Sequence, residues 1–129
     1  MTKAFSFGER SRQRLQGVHP DLVRVVHKAL ALSQIDFAVI EGLRTKARQA
    51  ELLAAGASRT MNSRHITGHA VDVAPSIAGE IRWDWPLFDE LAKAFKLAAK
   101  EENVPIVWGG DWVSFKDGPH FELDRRKYP

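Results

Sequence analysis

The segment SRHITGHAVDVAP, residues 63–75, places His65, Gly68, Ala70 and Asp72 at short intervals where an apolar run begins. If HAVDVA is a strand, its side chains alternate faces: Ala70, Asp72 and Ala74 share one side, His69, Val71 and Val73 the other. The valines suit a core. The aspartate does not, and the two alanines clear space around it. Gly68 permits a turn that returns the His65 imidazole beside the Asp72 carboxylate. PHFEL, residues 119–123, reads the same way, with His120 and Glu122 on one face and Phe121 and Leu123 on the other. From an adjacent strand, His120 becomes a third donor. His65, Asp72 and His120 then suit zinc and leave its fourth position open, as a catalytic zinc requires. Such a position lowers the pKa of a water from about 15.7 to about 7 and polarises a carbonyl. Asp117 stands three residues before His120, and Gly118-Pro119 lets the chain turn, so Asp117 is the expected general base and later general acid.

Other polar and aromatic residues gather around this set. Glu122, on the face of His120, is placed to accept an imidazole N–H or to help position a substrate; the alternative is a solvent-facing edge residue. Ser63 either orders the loop before His65 or hydrogen-bonds a substrate. His65 and His69 are four apart, as in a helical zinc pair, but Gly68 and the β-branched run argue against a helix, so His69 is not an expected ligand. Of the four tryptophans, Trp112, in the loop before Asp117, is the cleft candidate, and the others are expected to pack. His19 and His27 fall in a helical region and read as structural or solvated.

The elements that must hold these residues can be read along the chain. Ser6 is placed to cap a short helix over GERSRQRL with Gly17 as its stop, and HPDLVRVVHKALALS carries Leu22, Val25, Val26, Ala29 and Leu30 at helical spacing. DFAVIEGLR alternates as a strand, Phe37 and Val39 against Ala38 and Ile40, and its two apolar faces predict a central position. Thr45 can cap KARQAELLAAG, ended by Gly56, and residues 57–68 read as a surface loop. The HAVDVA strand is expected to stop at Pro75, and SIAGEIRW to turn into another short strand. Asp84 then caps a helix to about Asn103, with Pro86 in its first turn and Leu87, Phe88, Leu91, Phe95 and Ala98 facing the core. PIVW is a strand, GGDWVSFKDG a loop and PHFEL the last strand. The expected fold class is α+β: N-terminal helices packed on a small, mostly antiparallel sheet that carries the zinc site.

Composition narrows the function classes. A chain of 129 residues suits one domain, and 44% hydrophobic with 27% charged residues is globular composition. The absence of cysteine excludes thiolate zinc sites, disulfides and cysteine nucleophiles. The N-terminus MTKAFSFGERSRQ lacks the apolar run of a signal peptide, and no segment approaches the roughly 18–20 apolar residues of a membrane span. The net charge of +3 is scattered except in the tail DRRKYP, which is a mild attraction to anionic surfaces and not a nucleic-acid footprint.

SRHITGHAVD fits S-x-H-x-x-G-x-A-x-D, and DGPH fits the acidic-x-x-His signature of zinc peptidases that cut bacterial peptidoglycan stem peptides. The chain resembles the bacteriophage L-alanyl-D-glutamate peptidases, endolysins of the zinc D-alanyl-D-alanine carboxypeptidase-like superfamily. GVHPDLVRVVHKAL, EGLRT, WGGDW and HFEL fall in the same order, so the resemblance covers essentially the whole chain. It implies His65, Asp72 and His120 as zinc ligands, Asp117 as the acid/base, and Arg44 of EGLRT as the residue that binds the substrate carbonyl and the developing oxyanion. Read from its residues alone, Arg44 could equally cap or pair with Glu41 or another acidic neighbour.

Asp117 stands where the D-alanyl-D-alanine enzymes usually carry glutamate, which favours the endolysin branch. The end at Tyr128-Pro129 is expected to leave no separate wall-binding domain, making residues 1–129 one catalytic domain. The implied partner is the peptidoglycan stem peptide, met by a monomer with no nucleic acid and no stable membrane insertion. The implied location is the host cytoplasm until lysis, then the cell wall, in the periplasm of a Gram-negative host. The rival readings are a D-alanyl-D-alanine carboxypeptidase and a non-catalytic zinc-stabilised wall-binding module, with a basic nucleic-acid-binding domain more distant.

Overall fold

The computed structural model describes residues 5–129. Helix α1, Glu9–Arg14, starts from Gly8 and not from Ser6, and no side chain caps it. Phe7 is buried in the core, and its carbonyl accepts from Arg12, so burial of the aromatic ring sets the entry and leaves Ser6 outside the turn. Helix α2, Pro20–Leu32, buries the five expected residues Leu22, Val25, Val26, Ala29 and Leu30. Its N-cap is His19, whose Nδ1 accepts from the Asp21 N–H at 3.0 Å, so this histidine is structural.

Strand β1, Asp36–Glu41, is followed by α3, Lys46–Ala54, whose cap Thr45 accepts from the Arg48 N–H. β2 spans Ala70–Ile77 and turns through Ala78 and Gly79, both at positive φ, into β3, Glu80–Ile81. That is the backbone of a two-residue hairpin turn. α4, Trp85–Glu102, ends at Asn103 in the left-handed region; Asp84 precedes it, but its carboxylate bonds to Arg82 and not to the helix. β4, Ile106–Trp108, a 3-10 turn at Gly109–Asp111 and β5, His120–Leu123, follow. The sheet runs β1-β2-β5-β4, with β3 paired to β2, and every pairing is antiparallel.

Two strand expectations are corrected. β2 does not stop at Pro75. The Val73 N–H bonds to the Pro119 carbonyl just before β5 begins, so two residues on, where Pro75 lacks its N–H, that side of β2 is already past β5. Nor is β1 central: it is an edge strand. Its outer edge is covered by α1, where Ser11 Oγ accepts from the Val39 N–H at 3.0 Å and Arg14 donates to the Val39 carbonyl at 3.0 Å.

One face of the sheet makes the core against α2 and α4. Phe121 of β5 stacks on Phe95 of α4 at 4.0 Å between centroids, and Phe37, Val39, Val71, Val73 and Leu123 join them. Burying such a side chain stabilises the fold by roughly 1.5–3 kcal/mol. The opposite face is left for polar residues. Ser11 is 5% exposed, so Ser11→Ala strands a buried Val39 N–H and is expected to cost about 1–3 kcal/mol in denaturant unfolding. An unchanged midpoint would show that water replaces the hydroxyl.

Candidate metal centre and cleft

Asp72 lies in the middle of a row across the polar face of the sheet, paired in register with His120 of β5 on one side and Glu41 of β1 on the other. The second pairing depends on a bulge. Val39 faces Val73 on the core side, and the register shift between Val39 and Glu41 turns Glu41 to the face of Asp72. His65 comes from the loop before β2. Its N–H donates to Ser63 Oγ at 3.2 Å and its carbonyl accepts the Arg44 N–H at 3.0 Å. Gly68 adopts a φ of +76°, and a side chain there would run into the Gly17 carbonyl, so the return of the loop toward the strand requires glycine.

His65 Nε2 and His120 Nδ1 lie 3.2 and 3.3 Å from the same oxygen, Asp72 Oδ1. One donor atom from each of the three residues falls within 4.8 Å of the others. The far side of each ring fixes its orientation: His65 Nδ1–H donates to the Gly42 carbonyl at 2.9 Å, and His120 Nε2–H to Glu122 Oε1 at 2.8 Å. Both partners can only accept. A neutral ring held this way turns a lone pair toward the Asp72 carboxylate, and lone pairs facing one another call for a cation between them, either a proton or a metal ion. Two imidazole nitrogens and a carboxylate without thiolate suit a divalent first-row metal, so the residues fit such an ion.

Charge is organised around Asp72. Burial pushes its carboxyl up, but hydrogen bonds from His120 and His65 outweigh that and hold it well below the usual carboxylate range. Burial likewise pulls His120 down, and its bonds to Asp72 and Glu122 prevail, raising it to about 9. Glu122 is lowered, its burial outweighed by the His120 bond. Asp117 moves the other way: burial raises its pKa and the nearby Asp72 charge adds to this, against His120, His65 and Arg44. Its loop is tied down, with the Asp117 N–H on the Gly109 carbonyl at 3.0 Å and Trp108 Nε1–H on the Gly118 carbonyl at 2.7 Å.

All eight residues singled out in the sequence, His65, Asp72, His120, Asp117, Arg44, Ser63, Trp112 and Glu122, line one cleft of about 530 Å³. Glu122 is buried and bonded to His120, so it is not a solvent-facing edge residue. Ser63 orders the His65 loop, and the Trp112 ring lies 5.1 Å from that of His120. His69 stays outside the group, bonded to Thr67 Oγ1 at 2.7 Å. Arg44 pairs with Glu41, donates to Gln49 Oε1 at 2.7 Å and stands 3.7 Å from Asp72 Oδ2.

Sequence reasoning missed Gln49 and the position of Glu41. Gln49 has no exposed surface; besides accepting from Arg44 it donates to Ser58 Oγ and the Thr60 carbonyl, tying Arg44 to the loop that walls the cleft. Nothing in KARQAELLA distinguishes this glutamine from its solvated neighbours, although it is the buried residue of α3.

An antiparallel sheet with helices on one face, and on the other a metal-competent triad beside a carboxyl of raised pKa, fits a metallohydrolase. The model of the phage L-alanyl-D-glutamate peptidase family matches residues 3–127, and the chain belongs to that family. It is 40% identical over 129 residues to the L-alanyl-D-glutamate peptidase of Escherichia phage T5, covering 97% of this chain and 93% of that one. The crystal structure of the Serratia marcescens L-Ala D-Glu endopeptidase ChiX superposes with a TM-score of 0.92 at 50% identity, covering 98% of this chain and 96% of that one. The vancomycin-resistance D,D-dipeptidase VanXYg shares the fold at a TM-score of 0.55 and 18% identity, over 82% of this chain and 50% of that one.

The raised His120 gives a pH test on the metal-free protein. Its folded pKa of about 9 exceeds the ordinary imidazole value of about 6.5, so its contribution to stability is complete below about 6.5 and is lost as pH climbs through about 9. Urea unfolding of the chelated protein is expected to weaken across that window. Adding a divalent metal should offset the loss, because the ion takes the place of the proton. Stability that stays flat without metal would contradict the His120 environment.

Proposed function

We propose that the chain is a zinc-dependent peptidoglycan endopeptidase that cleaves the L-alanyl-D-glutamate bond of the stem peptide, with residues 1–129 acting as one catalytic unit. The observation that carries it is the pair of acceptor-locked imidazoles aimed at the Asp72 carboxylate, in a chain 40% and 50% identical to proteins named for that bond. His65 Nε2, Asp72 and His120 Nδ1 would hold the zinc. When bound, zinc supplies Lewis acidity, making a water acidic enough to ionise near neutral pH and polarising a carbonyl.

The chain's own residues do the rest. Asp117, its pKa raised by burial and by Asp72, takes the proton of the attacking water and returns it to the departing amine as the amide C–N bond breaks. Arg44, held by Glu41 and Gln49, presents positive charge where the carbonyl oxygen becomes negative. Glu122 fixes the His120 ring, Ser63 orders the His65 loop and contacts the substrate, and Trp112 walls the cleft beside His120. The protein works as a monomer on the stem peptide, without nucleic acid and without stable membrane insertion. It waits in the host cytoplasm until lysis and then acts on the wall. No helix among the described residues is long and apolar enough to cross a membrane.

Incubating the zinc-loaded protein with purified peptidoglycan, beside a chelated control, tests this by mass spectrometry of the products. Zinc-dependent peptides beginning with D-glutamate are expected; free D-alanine would indicate a carboxypeptidase, and no products a binding module. Asp117→Asn is expected to keep zinc and lose about 10²–10⁴-fold in turnover, the usual contribution of a general acid–base. His120→Ala is expected to lose zinc as well. An Asp117→Asn protein with full turnover would remove Asp117 from the proton-transfer role.

A further inference from the structure

Four arginines line the cleft, and three have their guanidinium groups engaged. Arg44 is held by Glu41 and Gln49. Arg64, 9% exposed, donates through Nη2 to the Leu123 and Tyr128 carbonyls. Arg59 lies over the Phe115 ring, 4.5 Å from its centroid. Arg125 differs. Its side chain is 61% exposed, and its nearest acidic partner, Glu122 Oε2, stands 3.7 Å from Nε, beyond hydrogen-bond reach. Its Nη donors have no hydrogen-bond acceptor among the described residues.

Charge along the cleft is uneven. Arg44 is surrounded by Glu41, Asp72 and Asp117. Arg64 and Arg125 instead share a single carboxylate, Glu122, whose Oε1 already accepts from His120. Around Glu122 the two guanidinium groups leave an excess positive charge, one carboxylate away from a residue of the metal-competent triad.

The substrate class supplies a matching anion, an argument that rests on the L-alanyl-D-glutamate reading above. The residue whose amine leaves in that cleavage is a dicarboxylic acid. One of its carboxyls continues the stem and the other is left either free or amidated. We propose that Arg125 reads that second carboxylate and so gives the enzyme a preference for stem peptides in which it is free. The carboxylate is only a few bonds from the scissile amide, which confines it to the neighbourhood of the triad. An open guanidinium fork matches a carboxylate with two charge-assisted bonds; a carboxamide offers one neutral oxygen and an NH₂ that would face the arginine's own donors. Arg125 touches no reacting atom, so it determines specificity through binding.

The test uses the zinc-loaded full chain and two synthetic stem peptides that differ only in that group, carboxylate or primary amide. Wild type is expected to favour the carboxylate peptide in kcat/KM by about tenfold, the scale of a charge-assisted contact. Arg125→Gln should remove the preference through a raised KM for the carboxylate peptide, and Arg125→Lys should restore part of it. Because the side chain is exposed, these variants are expected to fold. Equal cleavage of both peptides by wild type, a preference that survives Arg125→Gln, or one abolished instead by Arg59→Gln would each overturn the inference alone. Cleavage of neither peptide by wild type would bring down the peptidase reading and this inference with it.

Discussion

The site is organised by one half-buried carboxylate. Leaving an ionised Asp72 at the floor of the cleft is costly unless charge and hydrogen bonds compensate it. Compensation comes from three directions: His65 from a loop, His120 from the neighbouring strand and Arg44 from beyond the edge strand. Each of these is in turn held by an acceptor behind it, the Gly42 carbonyl, Glu122, and Glu41 with Gln49. Arrangement in two shells is what lets a small domain keep several ionisable groups together in a defined geometry. It also leaves the facing nitrogens of both imidazoles pointed at one place, which a metal site needs.

The helices and the core pin this arrangement from behind. Val71 and Val73 alternate with Asp72 along β2, so the packing of Phe95 on Phe121 fixes the strands that present the polar row. A one-residue slip of β2 against β5 would turn Asp72 into the core and a valine onto the polar face, which makes the register costly to break. Gly42 contributes at the edge. A side chain there would collide with the Arg14 carbonyl and Val18, so the chain can pass close to α1 and aim its own carbonyl at His65 only because the residue is glycine.

The triad was legible because its parts are local. Alternation along HAVDVA and PHFEL places Asp72, His120 and Glu122 on their faces without further information, and Gly68 marks the turn that returns His65. The long helices followed from spacing as well. What was not legible depends on contacts between distant segments. The bulge that turns Glu41 toward Asp72 leaves no mark in DFAVIE, where simple alternation puts Glu41 with Phe37 and Val39. The edge position of β1 is set by Ser11 and Arg14, residues of a helix whose polar composition reads as solvated. Pro75 reads as a stop from its missing N–H, yet β5 has ended on that side and the Pro75 carbonyl still accepts from the Arg82 N–H just past β3. Gln49 owes its place to Arg44, Ser58 and Thr60, which come from outside its own helix and meet its side chain.

The two rings are locked so that His65 Nε2 and His120 Nδ1 would face a shared ion beside Asp72. Anomalous diffraction at the zinc edge, on crystals of the zinc-loaded protein, would locate that ion. A single strong peak is expected, bound by those two nitrogens and an Asp72 oxygen at about 2.0–2.2 Å, with the Gly42 and Glu122 bonds retained. A peak elsewhere, or an ion held by His65 Nδ1 or His120 Nε2 with those bonds broken, would show that the rings are not locked in this way.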